Sequence, residues 1–214
     1  MSWVLDNLGL IGALTGAHLR QSIIPIALSF LIALPLGRLA WRHTRLRGPV
    51  LTAVGLLYTI PSLGLFALVA AVFGIPLLSE TNLLTALTVY GVAVMTRSVT
   101  DGLQSVDPAV RTSAVAMGFG PWRRFWTIDL PLSGPVLLAG LRVTATSTIS
   151  LATVGILIGV QNLGYLFTNG YQRRIVEEVL AGVVATVVIA LAVDLLLVAA
   201  GRMLMPWQRA RAVA

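Results

Sequence analysis

From Leu180 to Val198 the chain runs with a single charged side chain, Asp194. An apolar helix of that length crosses the roughly 30 Å hydrocarbon core of a bilayer, so the stretch demands lipid as its solvent. Composition extends the argument to the whole chain: 57% of the 214 residues are hydrophobic, 11% are charged and mean hydropathy is +0.90. A soluble domain carries about 25% charged residues. The expected fold is therefore all-α and membrane-integral, one transmembrane domain over residues 1–214 with about five spans.

The spans are expected at 19–40, 49–75, 80–98, 134–159 and 176–200. The first holds Pro25 and Pro35, which membrane helices accept more readily than soluble ones. In the second, Thr-Ile-Pro-Ser at 59–62 removes a helix hydrogen bond in mid-span, which predicts a kink or a break. The fourth is rich in hydroxyls, Thr144, Thr146, Ser147, Thr148, Ser150 and Thr153, able to bond their own backbone or a neighbouring helix. No tandem repeat is visible. The N-terminus, MSWVLDNLGLIGALTGAHLRQS, lacks the basic start and small-residue cleavage site of a secretory signal, so the first span is expected to direct its own insertion.

All fifteen basic side chains are arginines, and they choose the orientation. With the N-terminus outside, Arg38, Arg42, Arg45, Arg47, Arg97, Arg111, Arg123, Arg124, Arg142, Arg202, Arg209 and Arg211 face the cytoplasm, and only Arg20, Arg173 and Arg174 face out. That asymmetry predicts an inside C-terminus and a cytoplasmic loop over residues 100–131. The basic excess is then a property of membrane loops, and nucleic-acid binding is not expected. Absence of cysteine excludes disulfides and thiol chemistry.

The loop has internal structure. Asp107-Pro108 is a helix start, with an acid to accept first-turn amides and a proline suited to the first helical position. A helix to about Met117 places Val110, Ala114 and Met117 on one face and turns Arg111 elsewhere. Gly118 can end it in a left-handed conformation, and Gly120-Pro121 can begin a second short helix. In that second element Trp122 and Trp126 share a face beside Arg123 and Arg124, either as an interfacial anchor or as a surface for a partner. Leu130-Pro131 is expected to mark the turn into the fourth span.

Ala114, Gly118, Ile128, Leu130 and Pro131 stand at the spacing of the coupling motif of binding-protein-dependent ABC importer permeases, E-A-A, three residues, G, nine residues, I-x-L-P. Thr112 and Ser113 replace its first Glu and Ala. LYTIPSLGLFALVAAVFGIP (57–76), GLQSVDPAV (102–110) and PLSGPVLLAGLRVTATSTISLATVGILIG (131–159) resemble permeases of osmoprotectant importers, the glycine betaine, carnitine, choline and proline betaine class. The similarity covers roughly residues 18–200, with Gln161-Asn162-Leu163-Gly164 where that branch often has G-G-L-G.

The resemblance implies a type I ABC importer permease in the cytoplasmic membrane of a prokaryote. Its partners would be a cytoplasmic ATPase subunit, a second permease subunit, identical or not, an extracellular or periplasmic solute-binding protein, and membrane lipid. Pro108, Val110, Arg111, Ala114, Met117, Gly118 and Pro131 would couple to the ATPase, with Ala114 small enough for close approach. ATP would be used by that partner, and no cofactor is expected on this chain, which has no Gly-rich loop with Lys-Ser or Lys-Thr. Tyr58, Thr59, Pro61 and Ser62 at the broken helix, with Tyr90 and Ser150, are candidates to line the path, or else the break serves packing alone.

Other polar residues carry narrower expectations. Asp194, inside a span, either serves transport or reaches Arg202 or interfacial water. Arg142 snorkels or pairs with a carboxylate. His18 and His43 are expected at interfaces. Glu177 and Glu178 either support the start of the fifth span, with Arg173 and Arg174 as partners, or meet the binding protein. Two readings compete with the osmoprotectant one: a methionine-type amino-acid permease of the same architecture and, from a different class, a membrane-embedded lipid-modifying enzyme. A secondary transporter would need more spans and an inverted repeat.

Overall fold

The computed structural model describes residues 2–207, and among these there is no β-strand. Arg209 and Arg211 of the charge argument lie outside them. After a short α1 (Ser2–Asp6), α2 runs unbroken from Leu8 to Arg42, 35 residues or about 52 Å at 1.5 Å each. The first span thus begins eleven residues before the expected 19. Nothing between Leu8 and Arg20 breaks a helix, and Leu14 and His18 gain burial by continuing it.

The second span is a pair, α3 (Thr44–Thr59) and α4 (Ser62–Phe73), meeting at a 116° bend. The pair climbs α5 (Glu80–Gln104) in the opposite direction. Arg47 meets Gln104 at 2.7 Å, the Ile60 carbonyl takes the Tyr90 hydroxyl, and the Phe66 carbonyl takes Asn82 Nδ2 at 3.1 Å. Despite its bend the pair therefore connects the two ends of α5. Ser79 caps α5 by accepting from the Asn82 amide, and the helix outlasts the expected third span by six residues.

A third connection carries α6 (Pro108–Ala116) and α7 (Pro121–Arg124). The expected turn at Leu130-Pro131 is absent. A π-helical turn at Phe125–Asp129, in which the Leu130 amide reaches back five residues to the Phe125 carbonyl, carries α7 straight into α8 (Leu130–Ala152). The wide turn absorbs the donor that Pro131 lacks. α8 closes in a 3-10 turn, Thr153–Ile158, at Gly159. A helix not anticipated, α9 (Gly164–Arg173), starts where Asn162 Oδ1 accepts the Gly164 amide at 2.8 Å, and α10 (Val176–Leu204) follows it.

α5 and α8 form the centre, with α2 against both. At the α2–α5 crossing a Cβ on Gly91 would lie 2.1 Å from the Ser29 hydroxyl, so only glycine allows that approach. α10 packs on α8 and α9 but leaves Val183, Val184, Val187, Val188, Leu191 and Leu195 exposed, a stripe suited to hydrocarbon.

Candidate functional site

The α6 element is built by local rules at both ends. Asp107 Oδ1 accepts the Ala109 amide at 2.7 Å beside Pro108. At the other end the Phe119 amide bonds the Ala114 carbonyl at 3.0 Å and the Gly118 amide bonds that of Val115 at 2.9 Å, with Gly118 at φ +82°. This paired closure needs a left-handed residue, and a Cβ would be strained there by the backbone alone.

Burial divides the face expected to be shared. Ala114 is fully buried within the chain, whereas Pro108, Val110 and Met117 are exposed. The small Ala114 side chain thus permits close packing inside this subunit, in place of the expected approach to a partner. Val110, Ser113 and Met117 instead line a shallow 560 Å³ depression with Ile128, Pro131 and Trp207. Pro131 therefore joins Val110 and Met117 at one surface, although twenty residues of sequence intervene.

Helix α6 is turned this way by Arg111. Its Nε donates to Asp129 Oδ1 at 2.7 Å, its Nη1 to the Val106 carbonyl at 3.1 Å, and its Nη2 to the Leu103 carbonyl. The guanidinium also covers the Trp41 ring at 4.8 Å. Arg124 donates to the second oxygen, Oδ2, at 3.3 Å. Asp129 itself is 1% exposed. A buried carboxylate held by two arginines thus ties α6 and the end of α5 to the base of α8. Sequence reasoning missed it, though Asp129 is the sole acid between Asp107 and Glu177 and stands among arginines.

The helix break gathers Tyr58, Thr59 and Pro61 at the surface, with Ser62 half-buried. Tyr90 stands behind them. It is buried, its hydroxyl supplies the donor for the Ile60 carbonyl, and its ring meets Tyr58 edge-on at 5.9 Å. Ser150 lies apart, on an exposed stripe of α8 with Ala139, Val143 and Thr146. Beside that stripe Arg142 and Asp194 form a two-pronged pair, Nε–Oδ1 2.6 Å and Nη2–Oδ2 2.8 Å, joining α8 to α10. Arg142 thus takes the carboxylate partner, and Asp194 bonds it rather than Arg202.

Away from the basic end, an exposed Arg20–Glu80 ion pair at 2.7 Å joins α2 to α5, and buried polar groups do the rest of the holding. His18, expected at an interface, is fully buried with Nε2 3.0 Å from the Ile149 carbonyl, because α2 extends past it. His43 is exposed just after α2. Asn162 Nδ2 donates to Gln21 Oε1 at 2.9 Å and to the Ala152 carbonyl at 2.8 Å. Glu178 is fully buried in the first turn of α10 and accepts from Asn169 Nδ2 at 2.6 Å, which leaves it no surface for a binding protein, the second of its two expected uses.

These features define a class. Residues 26–210 match the family described as binding-protein-dependent transport system inner membrane component, and the chain belongs to it: it is a multi-pass inner-membrane permease subunit and not an enzyme. Over 200 residues, 91% of this chain and 92% of the relative, it is 32% identical to the osmoprotectant import permease protein OsmW of Salmonella typhimurium. It is 30% identical to the glycine betaine/carnitine/choline transport system permease protein OpuCB of Bacillus subtilis, over 96% of this chain and 94% of that one. In three dimensions it matches a chain from inward-facing structures of the MetNI methionine ABC transporter at TM-score 0.81 and 19% identity, covering 93% of this chain and 98% of that chain. The fold is that of a type I ABC importer permease.

Proposed function

We propose that this chain is the transmembrane subunit of an ATP-driven importer that carries a compatible solute such as glycine betaine or choline across the cytoplasmic membrane. It binds no nucleotide or cofactor itself. A second permease subunit completes the pathway, a separate ATPase docks on the basic end, and a solute-binding protein delivers from the other side. The N-terminus is outside and the C-terminus inside, as the arginine distribution favours. Similarity to osmoprotectant permeases along nearly the entire chain supports the solute class. The observation that carries the mechanism is the Arg111–Asp129 bond.

In this reading Val110, Met117 and Pro131 face the ATPase, while Arg111 and Ala114 face inward and transmit. When ATP closes the ATPase subunits, displacement of α6 pulls on Asp129 at the base of α8, and α8 moves as a continuous rod up to Ser150. The weak joint at Thr59–Ser62 lets α3 and α4 follow without moving as one piece. Access to the path then switches sides.

Co-expression with the adjacent ATPase and uptake of labelled glycine betaine and choline in a deletion strain test the reading. Wild-type protein retains the ATPase on purification and restores uptake. Gly118→Asp, which puts a side chain at φ +82°, is expected to abolish uptake. Loss of neither ATPase nor uptake in that variant, or restoration of methionine but not betaine uptake by wild type, would overturn it.

A further inference from the structure

Among the described residues of the basic end, Arg38, Arg42, Arg45, Arg47 and Arg123 form no ion pair, and the first two share a cavity. Arg38 and Arg42 stand one turn apart on α2. With Arg124 they line a cavity of about 400 Å³ whose other walls include Trp41, Phe125 and Asp129. Asp129 is already engaged by Arg111 and Arg124. Like charges one helical turn apart repel, so a cavity holding three arginines and one shared carboxylate is short of negative charge.

Arg38 is also preorganised. Its guanidinium lies 4.0 Å from the Phe125 ring centre and 4.6 Å from that of Trp122, which fixes the group with its N–H edges free. The cavity does not end at the charges. It shares Arg38, Arg42 and Phe125 with a groove of about 390 Å³ that follows α2 along Leu31, Leu34 and Leu39 and is walled opposite by Trp122 and Trp126. From Arg42 to Leu31 is eleven residues, about 16 Å of helix, close to half of the roughly 30 Å hydrocarbon core. A cationic cavity opening into an apolar groove one leaflet deep matches the two parts of one molecule.

We propose that this cavity and groove bind a single anionic phospholipid, its phosphate held by Arg38, Arg42 and Arg124 and one acyl chain lying between α2 and the Trp122–Trp126 face. A free phosphate has the right charge but no use for the groove. An acidic loop of a docked protein would satisfy the arginines and leave Leu31 and Leu34 uncovered. The site is independent of the transported solute, so its failure would leave the importer reading standing.

The test uses the full chain, alone and with its ATPase, exchanged into detergent from phosphatidylcholine vesicles with and without phosphatidylglycerol, and read by native mass spectrometry. One phosphatidylglycerol per chain should remain bound in both preparations, and Arg38→Gln with Arg42→Gln should weaken retention about tenfold or more, as loss of charge-assisted bonds predicts. Arg38→Lys with Arg42→Lys should recover part of it. A second measurement needs no variant: brominated phosphatidylglycerol should quench tryptophan fluorescence more strongly than brominated phosphatidylcholine, and inorganic phosphate should not reverse this. Equal retention in wild type and the glutamine double variant, equal quenching by the two lipids, displacement by inorganic phosphate alone, or loss of the lipid on ATPase docking would each overturn the proposal.

Discussion

Pro61 and Pro131 pose the same problem to a membrane helix and meet opposite answers. Each lacks the amide that would bond the carbonyl four residues earlier. At Pro61 the chain gives way: the Ile60 amide turns to the Leu57 carbonyl at 3.3 Å, a buried tyrosine takes the Ile60 carbonyl, and the axis bends by 116°. At Pro131 the preceding turn widens into a π turn and the axis carries on into α8. The difference lies in the neighbours. Around Pro61 a donor from another helix is waiting, so a break leaves the Ile60 carbonyl satisfied. Around Pro131 a buried carboxylate on the preceding turn is held by two arginines, and a break there would tear the pair apart. One proline makes a joint and the other is passed over by a rod, which is the combination a lever needs.

The contrast can be broken from either side. Asp129→Ala removes what keeps the Pro131 end continuous and strands Arg111 and Arg124, whose side chains are 17% and 21% exposed. Breaking a buried pair costs about 3–5 kcal/mol. A large fall in the thermal midpoint of the detergent-solubilised protein is expected, and a melt like wild type would show that the clamp does not hold α8. Tyr90→Phe attacks the other proline by leaving the Ile60 carbonyl without its donor, at a cost of about 1–3 kcal/mol. Tyr58→Phe, on the exposed side of the same ring pair, should leave the melt unchanged, and equal effects of the two would deny Tyr90 its capping role. Pro131→Ala is the mildest. Since the π turn already accommodates the missing amide, stability should shift by about 0.5 kcal/mol or less, and a gain of several would mean that the proline strains the rod.

What could be read from the sequence was what local chemistry decides. The break at 59–62 follows from Pro61, the start of α6 from Asp107-Pro108, and its end from Gly118, each needing only nearby residues. The apolar runs locate the spans but not their ends, because helices such as α2 and α5 continue as long as packing rewards them. Pro131 was misread as a turn for the same reason that Asp129 was overlooked. Both depend on Arg111, which lies on another helix. Burial of His18 and Tyr90 likewise depends on partners distant in sequence, Ile149 and Ile60. The break itself was legible, whereas the turn of α6 that separates Ala114 from Val110 was not.

The clamp at the base of α8 also limits how this sequence can drift. Asp129 answers to arginines 18 and 5 residues away, so its loss strands two guanidiniums at once, whereas loss of either arginine still leaves the carboxylate one partner. An apolar pair of similar volume can match or exceed a buried ion pair in stability, provided both members change together. Routes away from the present arrangement therefore need coordinated steps at all three positions, Asp129→Leu together with Arg111→Met and Arg124→Met for instance, and loss of the acid alone runs uphill.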